Sequence, residues 1–169
     1  VRRRLPDVIA PGLGVLFCGI NPGLYSTAIG HHFGRPGNRF WPALHGAGFT
    51  GHVFSPYEDR ALLALGYGVT NLCPRTTARA EELTADELAR GARTLAAKVR
   101  RHRPRVLAIL GVGAYRAAFG RPQATLGLQD ESVGGARVFV LPNPSGLNAH
   151  YGLPALVQHF GVLRRLAVR

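Results

Sequence analysis

Two asparagines stand in closely similar settings near opposite ends of the sequence. Asn21 follows the apolar run VLFCGI at 15–20 and precedes Pro22-Gly23. Asn143 follows VFVLP at 138–142 and precedes Pro144-Ser145-Gly146. Short, almost wholly apolar runs of this kind read as strands buried on both faces. Pro22 lacks an N–H and Gly23 tolerates positive φ, so the first strand must stop and turn there. Each asparagine therefore sits at the carboxyl end of a strand, where open α/β sheets hold their ligand crevice. One Asn-Pro-Gly by itself reads first as a turn that merely ends a strand. Two strand-to-Asn-Pro turns can face one crevice from two sides.

The remaining elements must bring these ends together. Strands are expected at 15–20, 69–72, 106–110 and 137–141. Residues 24–38, rich in Gly and small polar groups, read as a long loop that starts at the crevice. Helical spacing resumes at 38–45, with Phe40, Trp41 and Leu44 as core contacts. Ser55-Pro56-Tyr57-Glu58 reads as a capped helix start, with Asp59 on its surface. Thr84-Ala85-Asp86-Glu87 is a capping box that opens a long helix. Its buried stripe is Leu88, Ala92, Leu95 and Val99; Arg90, Arg93, Lys98, Arg100 and Arg101 lie outward, as a solvated face or as phosphate contacts. Pro104 ends that helix. Gly111 and Gly113 open another through Phe119, without a full dinucleotide fingerprint or a Walker motif. Leu153, Leu156, Val157, Phe160 and Leu163 form the stripe of a closing helix. Alternating strands and helices give a three-layer α/β/α sandwich around a central, mainly parallel four-stranded sheet, one domain over residues 1–169.

Lys plus Arg number 21 against 9 Asp plus Glu, a formal charge of +12, and all but one of the basic residues are Arg. A field of that size attracts polyanions, and Arg suits planar contact with phosphate. A basic enzyme with no polyanionic partner is the other reading of charge alone. No apolar run approaches a membrane span, and Arg2-Arg3-Arg4 has no apolar segment behind it, so neither a membrane nor a signal peptide is expected. Cys18 and Cys73 lie in strand-like runs and read as reduced core thiols of a cytoplasmic protein, nucleoid-associated in a bacterium. Two cysteines are too few for a four-Cys zinc site or an iron–sulfur cluster. His31-His32 reads as a solvent-exposed loop pair, not a metal site.

GINPGL at 19–24, GNRFW at 37–41 and LPNPSGLN at 141–148 together resemble the mismatch-specific uracil-DNA and thymine-DNA glycosylases, a branch of the uracil-DNA glycosylase superfamily. The likeness extends over nearly the whole chain, with GVTNL at 68–72 and AILG at 108–111 where such proteins carry strands two and three. The resemblance implies a monofunctional glycosylase that flips a mispaired uracil out of duplex DNA and hydrolyses its N-glycosidic bond. It leaves open whether thymine, ethenocytosine or other damaged pyrimidines are also taken. By the same resemblance Asn21 holds the attacking water, and Phe33 stacks on the base. Gly19, Ile20, Gly23, Ser26 and Asn71 line the base pocket. Backbone N–H groups near Ile20 and Phe33 take charge from the departing base. Asn143, Pro144, Ser145, Gly146, Leu147 and Asn148 form the wedge and opposite-strand contacts, with Leu147 filling the gap left by the flipped base. Double-stranded DNA with G·U or G·T mismatches is the expected partner, for a monomer without cofactor, metal or obligatory protein partner.

The sequence departs from the family pattern in places. Many superfamily members carry an aspartate where Asn21 stands. Asp86 and Glu82, after the Arg75-Thr76-Thr77 loop, are candidate carboxylates to assist the water; otherwise they serve a helix N-terminus. Ala149-His150 replaces a wedge-loop Arg, which predicts a weaker preference for the opposing base. Two rival readings follow: a catalytically silent mismatch-binding module of the same fold, and a nucleotide or nucleoside hydrolase using the same crevice.

Overall fold

The computed structural model describes residues 5–148 and 150–168; the Arg2-Arg3-Arg4 end and Ala149 lie outside them. Four strands run parallel: β1 (Val15–Gly19), β2 (Tyr67–Asn71), β3 (Val106–Leu110) and β5 (Arg137–Leu141). A fifth, β4 (Gly127–Leu128), pairs antiparallel with β5 and closes one edge, giving the order β2-β1-β3-β5-β4. Two residues carry no alternation to read, and this is why the sequence indicates only four strands.

β1 is buried along its whole length, and its successive side chains divide between two cores. Val15 and Phe17 join the core beneath α2 (Phe40–Gly46), a 3-10 segment (Pro56–Leu65) and α5 (Leu153–Ala167). Leu16 and Cys18 join the core beneath α3 (Ala85–His102) and α4 (Val112–Phe119). Alternate residues of β3 and β5 divide in the same way, which makes the three layers. Phe17 meets Phe40 edge-on, with ring centroids 5.3 Å apart, and this fixes α2 on the sheet. No helix among the described residues is long and apolar enough to cross a membrane.

Several sequence expectations change. The loop expected at 24–38 begins with a short helix, α1 (Leu24–Ile29), which buries only Ser26 and so lacks an apolar stripe. The capping box at Ser55 and Glu58 is present, but the segment it opens is 3-10, burying Asp59 and Leu62 on one eclipsed row three residues apart. Asp59, expected on the surface, is 2% exposed. Lys98 is not on the outward face of α3: its Nζ lies 2.6 Å from Asp7 Oδ2 and 2.8 Å from Thr70 Oγ1. The other stripes hold, except that Leu153 at the start of α5 is exposed.

Candidate active site

The carboxyl ends of β1, β2 and β5 open onto one cleft of about 390 Å³, lined by both asparagine turns. Asn21 is fixed from one side only. Its Nδ2 donates to Arg75 O at 2.8 Å and to Thr77 Oγ1 at 2.8 Å. A carbonyl can only accept, and the Thr77 hydroxyl already donates to Arg79 O at 2.7 Å. Both neighbours are therefore acceptors, and the amide has a single orientation. Its Oδ1 accepts no hydrogen bond among the described residues. The loop carrying these partners is itself held: Thr77 N donates to Pro22 O at 3.2 Å. Arg75 makes a bidentate pair with Glu87, both contacts 2.8 Å. These Arg75 bonds, and then the Thr84 N–H, hold the Glu87 carboxyl down to about 2.

The floor of the cleft is a packed stack. Phe33 lies on Phe40 with centroids 3.9 Å apart, at left-handed φ of 54°. Gly19 is required by the close approach here, since a Cβ would sit 2.7 Å from Asn71 Oδ1 and 3.6 Å from the Phe33 ring. The side chain of Asn71 and the N–H of Phe33 have no hydrogen-bond partner among the described residues. Ser26 Oγ accepts from Gly34 N at 2.9 Å, so this hydroxyl staples the loop that presents Phe33.

His32, expected to be solvent-exposed, is 2% exposed and lines the cleft. Its Nε2 is 2.8 Å from Pro6 O and must carry the proton, and burial pushes its pKa below the ordinary value, so the ring is neutral. Asp59 ties down both histidines, the half-buried His31 and the buried His32: Oδ1 lies 3.0 Å from His31 Nδ1 and Oδ2 accepts from His32 N at 3.0 Å. His32 O in turn accepts from Trp41 Nε1.

The turn after β5 forms the opposite rim. Asn143, Ser145, Leu147 and Asn148 line the cleft, with Leu147 62% exposed. Pro144 is buried behind them, and Gly146 is exposed with its backbone against Gly37. Neither Glu82 nor Asp86 comes to Asn21. Glu82 Oε2 accepts from Arg79 N at 2.7 Å, and Asp86 is exposed in the first turn of α3. The carboxylate that does line the cleft is Glu81, with Arg35 and Arg79 as lining cations. Sequence reasoning missed Thr77, Asp59 and Arg39. Arg39 lies inside the GNRFW motif; the buried Asp59 gave no signal beyond a row of three-residue spacing.

A model of the uracil DNA glycosylase superfamily matches residues 6–161 of the chain. The chain belongs to the uracil DNA glycosylase superfamily. It is a DNA glycosylase, a hydrolase of the bond between base and deoxyribose. The fold is also similar to a solution NMR structure from Methanosarcina acetivorans, provisionally named a uracil DNA glycosylase, with a TM-score of 0.62, 20% identity and 98% of each chain covered.

Proposed function

We propose that this glycosylase removes uracil paired with guanine in double-stranded DNA, by water attack and without a covalent intermediate. The observation that carries the reading is the orientation of Asn21. With Nδ2 spent on two backbone-anchored acceptors, Oδ1 is the atom left for a water. Accepting one water proton turns a lone pair of that water toward the sugar carbon. Such an amide positions the nucleophile and takes no proton from it, so most of the rate must come from the leaving base. The unpartnered Phe33 N–H and the Asn71 amide suit the carbonyl oxygens and the ring N–H of uracil, where negative charge gathers as the bond breaks. The Phe33 ring supplies a stacking face.

The base reaches this cleft only outside the helix, at a cost of a few kcal/mol. Leu147, exposed on the opposite rim, suits the vacated space, and apolar wedges offset part of that cost. Free carbonyls in the same turn suit the pairing edge of the widowed guanine. The chain's one lysine, Lys98, is tied to Asp7 and lies outside the cleft lining, which argues against a Schiff-base route through a lysine. Arg35 and Arg79 on the rim suit the flanking phosphates, which makes binding steeply salt-dependent.

The test is single-turnover release of free uracil from G·U, A·U and single-stranded oligonucleotides, with wild type and Asn21→Ala. Release fastest at G·U, and lost by about 100-fold or more in the variant, is expected. Equal release from all three substrates defeats the mismatch reading. Tight binding without release from any of them leaves a mismatch-binding module.

A further inference from the structure

One side chain outside the cleft lining joins its two halves. Arg39 is the N-cap of α2, and the next residue, Phe40, is fully buried and supports Phe33. The Arg39 guanidinium extends the other way, into the turn after β5. Its Nη2 donates to Ser145 O at 2.8 Å and to Asn148 O at 2.9 Å, and its Nη1 donates to Tyr151 O. The Arg39 backbone N–H adds a bond to Pro144 O at 2.9 Å. Four carbonyls of one loop therefore converge on one residue, more than 100 positions earlier in the chain.

We propose that Arg39 is a positioning residue for base flipping: it holds the 143–148 turn in the shape that admits Leu147 to the duplex and selects guanine opposite the target. This rests on the function proposed above.

Three carbonyl oxygens brought together repel one another unless a cation with several donors lies between them. A guanidinium has five N–H donors in a fixed plane; an ammonium is a point charge that cannot span the same set. The sequestration is also selective. Ser145, Asn148 and Tyr151 have their carbonyls occupied, whereas those of Gly146 and Leu147 accept no hydrogen bond among the described residues. Guanine presents two adjacent donors on its pairing edge, the ring N–H and the exocyclic amine. Adenine presents an acceptor beside its amine. Carbonyls left free in the wedge turn match the first and oppose the second, and an unmatched pair of acceptors is costly. The same two stretches meet backbone to backbone: Arg39 N donates to Pro144 O, and a Cβ on Gly146 would lie 2.7 Å from Gly37 O. Since α2 anchors both Arg39 and Phe40, the spacing between pocket and wedge is set by one rigid element.

The test compares wild type, Arg39→Ala and Arg39→Lys in single-turnover excision from G·U, A·U and single-stranded uracil, with melting temperature and amide hydrogen exchange at 143–151. Single-stranded uracil needs no wedge and no guanine readout. Arg39→Ala should slow G·U excision by about 100-fold and bring the G·U to A·U ratio toward one, while the single-stranded rate changes by less than about threefold. Exchange at 145–148 should rise, and Arg39→Lys should recover part of the G·U rate. Adding Leu147→Ala to Arg39→Ala should cost little more, because both remove one step. Equal slowing on all three substrates overturns the proposal, since that is the signature of a pocket disturbed through Phe40. An unchanged G·U rate also overturns it. Should Arg39→Ala fail to fold, Arg39→Lys and Gly146→Ala take its place. Gly146→Ala displaces the loop with the guanidinium intact, and a G·U preference equal to that of wild type in both would be fatal. A wild type without G·U preference defeats the function proposed above instead, and the loop exchange separates the two failures.

Discussion

Asn21 and Asn143 occupy the same kind of place, two residues beyond a buried parallel strand and before a proline, and they use opposite ends of the same amide. Asn21 spends its nitrogen, on Arg75 O and Thr77 Oγ1, and keeps its oxygen. Asn143 spends its oxygen, which accepts from Ser145 N at 3.0 Å, while its backbone carbonyl accepts from Asn148 Nδ2 at 3.0 Å. The first arrangement presents an acceptor to the cleft. The second folds the chain back on itself and builds a turn. Residue type and strand-end position are shared; the function of each side chain is decided by which partners the rest of the fold supplies.

The largest effect should come from reversing the atoms at Asn21. Asn21→Asp places a carboxylate oxygen against Arg75 O and an occupied hydroxyl, both sites that only accept. Although a carboxylate is the stronger base, the variant should be less active than wild type and less stable by about 1–3 kcal/mol. A variant faster than wild type would show that the amide orientation does not matter. Next is Leu147→Ala, which removes an exposed side chain. Its stability should stay within about 0.5 kcal/mol of wild type. Its G·U excision should fall about tenfold, the equivalent of part of an unstacking step; unchanged excision would assign the wedge to another residue.

Asn143→Ala should cost about 1 kcal/mol by leaving the Ser145 N–H without its partner. Loss of G·U rate should exceed loss of single-stranded rate, and the reverse order would mean that Asn143 acts within the pocket. The smallest effect concerns the support of Asn21. The Glu87 carboxyl is held at about 2, against an ordinary value of 4.5, first by Arg75 and then by the Thr84 N–H. A folded-state value below the unfolded one adds stability that is complete above the unfolded value and lost as pH falls through the folded one. The melting-temperature difference between wild type and Glu87→Gln should therefore be constant near neutral pH and shrink from about pH 4.5 toward about pH 2. A difference that persists at the acid end would mean that Glu87 acts by packing.

Much of the fold was legible because its signals are local. Apolar runs bounded by Gly and Pro mark the four parallel strands, and the capping boxes at Ser55 and Thr84 are both formed. The two strand-end asparagines were legible for the same reason: strand ends are visible in sequence, and parallel strands place their carboxyl ends on one edge; Ser26, Phe33, Asn71 and Leu147 were named only through the family resemblance. What failed was of another kind. Asp59 and His32 are polar residues buried by each other and by distant backbone, through bonds to His31, Pro6 and Trp41. A carboxylate with its partners elsewhere in the chain looks like any surface residue until those partners are in place. Glu82 and Asp86 were named from proximity in sequence, and one turn of 3-10 helix at Ala80–Glu82 leaves Glu81 lining the cleft instead.

The sequence by itself determined the parallel α/β sheet, the two asparagine turns at its carboxyl edge and the glycines that let Asn71 and Gly37 approach, because strand burial, proline stops and turn residues act over a few positions. Only the tertiary structure decided which atom of Asn21 is free and that Arg39 gathers the carbonyls of the wedge turn. Those outcomes depend on donors and acceptors more than 50 residues apart, and a hydrogen bond of that span has no address in the sequence until packing has brought its two ends together.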